Sequence, residues 1–96
     1  MRVRFTQRAA RQLDRILSEL KSVNPNAARA LQRRVDEIVR DIGLFPDQFQ
    51  QVGERPGVQR APMIRFPYLM FYKIVNEEAV VLRIRHDARK EPWENL

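Results

Sequence analysis

Arginine enters the last third of this chain at alternate positions, Arg83 and Arg85, and returns at Arg89, with the single histidine, His86, between them. Arg60 precedes this group, and both tyrosines, Tyr68 and Tyr72, lie between. A guanidinium presents a planar fork of N–H donors that matches carboxylates and phosphates, and a tyrosine ring offers a stacking face. Such residues at alternate strand positions suit stacking on bases, binding of phosphate or clamping of an acidic peptide. The same pattern also serves plain solubility, with the stems of Arg83 and Arg85 laid over tyrosine rings. A lone histidine with no recognisable nucleophile specifies no reaction. His86 follows the alternation of Leu82 and Ile84 and reads as a packing residue at a strand end. Asp87 and Glu91 lack a spacing for paired acid and base work. Trp93 reads as folding the tail back onto the domain, with contact to a partner as the alternative use.

These side chains have to be positioned by a β-hairpin. Residues 68–75 and 79–86 are β-prone and flank the polar Asn76-Glu77-Glu78. A two-residue connection at Asn76 and Glu77 predicts that Tyr68, Met70, Tyr72 and Ile74 share a face with Val81, Arg83 and Arg85. Leu69, Phe71, Val80, Leu82 and Ile84 then face the core. An odd loop would instead put Tyr72 beside Leu82.

The N-terminal half supplies cover for the sheet. Val3 and Phe5 alternate with Arg2 and Arg4, the period of a short edge strand blunted by charge. Thr6 is placed to cap a helix whose apolar stripe is Ala9, Leu13, Ile16, Leu17 and Leu20, and Arg8, Arg11, Asp14, Arg15 and Glu19 read as its solvated face. Asn24-Pro25 closes that helix and opens a second, with stripe residues Ala28, Leu31, Val35, Ile38 and Ile42; Gly43 fits its C-terminal cap. Residues 44–57 read as a long loop anchored by Phe45 and Phe49. Residues 58–64 suit a further strand limited by Pro62. The expected layout is β-α-α-β-β-β, an α+β two-layer domain with a helical hairpin on a largely antiparallel sheet. It forms a single domain over residues 1–96, with the helical hairpin at about 7–43 and the sheet and C-terminal tail at about 58–96.

Ninety-six residues allow one small core. Eighteen Lys and Arg against twelve Asp and Glu give +6, which favours acidic partners. With no cysteine and one histidine, thiolate metal sites and a zinc site are not expected, and no cofactor is indicated. No apolar run approaches the roughly 18 to 20 residues that span a bilayer, so the expected location is the cytoplasm, away from the membrane.

Several segments in order resemble the toxins of the ParE/RelE superfamily: FTQRAARQLDRI after the opening strand, Asn24-Pro25-Asn26-Ala27-Ala28, Gly57-Val58-Gln59-Arg60, Pro67-Tyr68-Leu69-Met70-Phe71-Tyr72 and Ile84-Arg85-His86-Asp87-Ala88-Arg89. The resemblance implies the toxin of a type II toxin–antitoxin pair, held by a small acidic antitoxin and reaching operator DNA only through it. It implies one of two activities. The RelE-like branch, a ribosome-dependent endoribonuclease acting on mRNA without a metal, has a basic residue after the tyrosine of the strand matching 67–72 and a tyrosine near the C-terminus. This sequence has Leu69 at the first place and no tyrosine in HDARKEPWENL. Arg83, Arg85, His86 and Arg89 remain as its candidate catalytic group. The departures favour the ParE-like branch, whose implied action is direct binding of DNA gyrase. Arg60, Tyr68, Tyr72, Arg83, Arg85, Arg89 and Trp93 are then expected to meet the antitoxin or the target.

Overall fold

Local signals set both helices. The Thr6 hydroxyl accepts from the Ala9 amide at 3.1 Å and starts α1 (Gln7–Val23). The Asn24 side chain accepts from the Ala27 amide at 3.1 Å and starts α2 (Pro25–Leu44), with Pro25 at a first-turn position where no N–H is needed. The computed structural model describes residues 1–87, so Arg89 and Trp93 lie outside the described residues. Ala28, Leu31, Val35, Ile38 and Ile42 are all buried, as their spacing predicts. Ala9 is buried too, and Leu13, Ile16, Leu17 and Leu20 pack half-buried against the same core.

Among the described residues the strands are β1 (Arg2–Phe5), β2 (Gln50–Gln51), β3 (Val58–Pro62), β4 (Tyr68–Val75) and β5 (Glu78–His86). They form one five-stranded sheet in the order β1-β5-β4-β3-β2, with the helices against one face. β1 is an edge strand, as its alternating arginines predict, and it runs parallel to β5; the other pairings are antiparallel. Arg2 and Arg4 lie 3.5 and 3.8 Å from the Glu78 carboxylate. No helix among the described residues is long and apolar enough to cross a membrane.

Three local expectations are corrected. Gly43 does not end α2, which continues to Leu44 and is capped at Phe45. Glycine is needed there for close approach: a Cβ would lie 3.1 Å from the Met1 carbonyl oxygen, and the Met1 amino group donates to the Gly43 carbonyl at 3.0 Å. Phe45 does not anchor the following loop, because its side chain is exposed. Phe49 does, meeting the Tyr72 ring edge-on at 6.1 Å. That loop also contributes the short β2 against β3.

The largest correction concerns register. Asn76 and Glu77 form the expected two-residue turn, both with positive φ, and Tyr72 pairs with Val81. A β-bulge then intervenes, so that Phe71 pairs with Arg83, Met70 with Ile84, Leu69 with Arg85 and Tyr68 with His86. Because side chains alternate with period two, a one-residue offset moves every later residue to the other face. Met70, Tyr72, Val81 and Ile84 therefore fill the core with the helices, while Arg83 and Arg85 share the outer face with Leu69 and Phe71.

Candidate functional site

The outer face of the sheet is organised around Phe71. Register places Arg60 of β3 and Arg83 of β5 directly opposite it on its two neighbours. The buried Arg85 holds its guanidinium carbon 5.5 Å from the Phe71 ring centroid, within range of a cation–π contact. The interleaving of arginine with an aromatic thus exists, with Phe71 in the place expected of the tyrosines. Arg60 is steadied by a 3.3 Å hydrogen bond to the Gln50 side-chain oxygen on β2.

A groove of about 290 Å³ opens over this ring. Its floor is apolar, with Val52, Val58 and Leu82 beside Phe71, and its charge comes from Arg8, Arg55, Arg83 and Arg85. Arg8 arrives from the first turn of α1 and Arg55 from the turn between β2 and β3. Neither was expected from the sequence, where Arg8 reads as part of a solvated helix face. The usable signal is that Thr6 ties the start of α1 to β5, donating its amide to Val81 O at 2.9 Å, which carries Arg8 to the sheet. Guanidinium groups gathered around a partly apolar floor bind carboxylate or phosphate more strongly than the same groups in open solvent.

A second, more polar groove of about 550 Å³ shares Arg8, Arg83 and Arg85 and adds Gln12, Arg15, Glu19, Tyr68 and His86. Tyr68 and His86 stack edge-to-face at 5.3 Å, and His86 Nδ1 lies 3.9 Å from an Asp87 carboxylate oxygen. His86 is therefore a strand-end packing residue beside Tyr68, on the helix side with Ile84 but not with Leu82, which the bulge moves outward.

Tyr72 is removed from the binding face. It is fully buried, and its hydroxyl donates to the Pro46 carbonyl. Burial, and after it the Asp47 carboxylate, pushes its phenol up to about 12. Gln59 is buried beside it and donates to the carbonyls of Pro46 and Phe49, each at 2.9 Å. Together Tyr72 and Gln59 hold the loop after α2 and so support the wall that carries Val52 and Arg55. Among the described residues no cluster of His, Asp or Glu is arranged to hold a metal ion.

Residues 3–91 match the family described as ParE toxin of type II toxin-antitoxin system, parDE. The chain belongs to the ParE toxin family. No curated protein matches it by sequence. Among solved structures, this ParE-family chain is similar to the chromosomal ParDE toxin–antitoxin system of P. aeruginosa, with 25% identity, a TM-score of 0.77 and coverage of 90% of this chain and 95% of that one. It is also similar to the toxin–antitoxin complex RelBE2 from Mycobacterium tuberculosis, at 27% identity, TM-score 0.60 and 92% of both chains. The isolated E. coli RelE toxin, at 15% identity and TM-score 0.56 over 98% of this chain and 92% of that one, shares the fold. The ParE/RelE superfamily resemblance and its α+β fold hold, with the ParE-like branch favoured.

Proposed function

We propose that this ParE-family toxin acts in the cytoplasm by binding DNA gyrase directly, and that a cognate acidic antitoxin neutralises it by occupying the arginine groove over Phe71. The groove carries the partner-binding part of this reading: Arg8, Arg55, Arg83 and Arg85 around an apolar floor suit a protein segment bearing carboxylates and an apolar side chain. The choice of gyrase follows from the family match, from Leu69 in place of a basic residue and from a tail sequence without tyrosine.

The decisive experiment adds purified protein to gyrase and relaxed plasmid. Loss of supercoiling or accumulation of cleaved plasmid supports the proposal, and both effects should disappear when the antitoxin encoded beside the toxin is added first. A preparation that arrests growth yet leaves gyrase untouched, while messages are cut in a translating extract, establishes the RelE-like endoribonuclease instead.

A further inference from the structure

β1 covers only the first part of β5, pairing Arg2–Phe5 with residues 78–81. Among the described residues no strand lies beside that edge of β5 from Leu82 onward, and the start of α1 takes that place. Thr6 donates its amide to Val81 O at 2.9 Å and its hydroxyl to Leu82 O at 3.1 Å. The Gln12 side-chain oxygen then accepts from the Ile84 amide at 2.8 Å. In a regular strand consecutive carbonyls point to opposite edges; here those of Val81 and Leu82 both turn towards Thr6, which is the backbone signature of the bulge. Gln12 fixes the shifted phase by binding the amide of residue 84.

This arrangement decides where the arginines point. In the unbulged register set by the Asn76-Glu77 turn, Arg83 would oppose Met70 on the core face. With the bulge, Arg83 opposes Phe71 and Met70 opposes Ile84. We propose that Thr6 and Gln12 are positioning residues for the partner-binding groove, pinning the bulge at Leu82 and thereby aiming Arg83 and Arg85 outward. The inference rests on reading that groove as the partner site, but the pinning itself is separately measurable.

The test uses the purified full chain with Gln12→Met, which keeps the length of the side chain and removes the acceptor. NMR reports register through contacts between Met70 and Ile84 and through hydrogen exchange at the Ile84 amide; poly-L-glutamate serves as the acidic probe. Expected are faster exchange at Ile84, by about tenfold for one lost hydrogen bond, and several-fold weaker poly-L-glutamate binding. In a background carrying both Arg83→Ala and Arg85→Ala, Gln12→Met should add little further loss of binding, because it acts through those two groups. Thr6→Ser should retain binding and register, and Thr6→Val should lose both, which keeps the test usable if one variant folds poorly. Unchanged Ile84 exchange in Gln12→Met, or a Met70–Ile84 contact and binding intact in Thr6→Val, overturns the proposal. Failure of the wild type to bind poly-L-glutamate overturns the reading of the groove, and the exchange data still decide the pinning.

Discussion

Arg85 lies over the ring of Phe71, its guanidinium carbon 5.5 Å from the ring centroid, although the two residues are not paired across their strands. A planar cation on an aromatic face cannot be replaced by an ammonium without loss of stacking. Arg85→Lys should therefore keep the fold at a stability loss of about 1 kcal/mol and weaken antitoxin binding about tenfold, a change worth roughly 1.4 kcal/mol. Thermal unfolding and calorimetric titration with the antitoxin check the two parts.

Arg8 and Arg55 supply charge at the groove from outside the hairpin, so their main contribution is to the encounter with an acidic partner. Arg8→Glu combined with Arg55→Glu should slow association by about ten- to a hundredfold at low salt and flatten its dependence on ionic strength. Stopped-flow binding at several salt concentrations measures this; an unchanged salt slope would show that these arginines lie outside the contact.

Tyr72 links stability to alkaline pH. Unfolded tyrosine loses its proton near pH 10, whereas the buried phenol holds it to about 12. The folded state binds the extra proton between these values. Its stability is thus fully present below pH 10 and falls as pH rises towards 12, by on the order of 2 kcal/mol. Tyr72→Phe should abolish that decline in urea titrations run across the interval. At neutral pH it should cost only about 1 kcal/mol, since Gln59 still donates to the Pro46 carbonyl.

Two turns hold ordinary residues in the left-handed region. Glu77, in the β4–β5 turn, has φ 63, and Arg65, third residue of the turn closed by the 2.8 Å Phe66 N–Met63 O bond, has φ 80. Glycine adopts both without a Cβ clash. Glu77→Gly and Arg65→Gly should each stabilise by about 0.5 to 1 kcal/mol, read as a rise in the urea midpoint with unchanged slope.

Features set within a few residues of sequence were legible before the fold was known. Thr6 and Asn24-Pro25 announce helix starts because an N-cap needs only its own next turn, and the stripe from Ala28 to Ile42 follows from helical period alone. The two-residue turn at Asn76 and Glu77 is local in the same way. The outward facing of Arg83 and Arg85 was legible, but their companions on that face, Leu69 and Phe71 in place of Tyr68 and Tyr72, were not, because the bulge that sets the pairing involves Thr6 and Leu82, 76 residues apart. Gly43 resembles a helix terminator until Met1 is seen lying against it. Arg8 and Arg55 join the groove only through tertiary contact, and β2 is too short to leave a periodic trace.

The parallel pairing of β1 with β5 also governs when the protein comes into being. The first strand has no neighbour to its inner side until nearly all the described chain exists, and closing so long a loop slows folding relative to local pairing. A nascent chain that stops short of β5 has neither Arg83 and Arg85 nor the strand edge to which Thr6 attaches. The groove is completed only when β5 joins the sheet, so a partly synthesised copy carries Arg8, Arg55 and Phe71 without the arginines of β5 that join them.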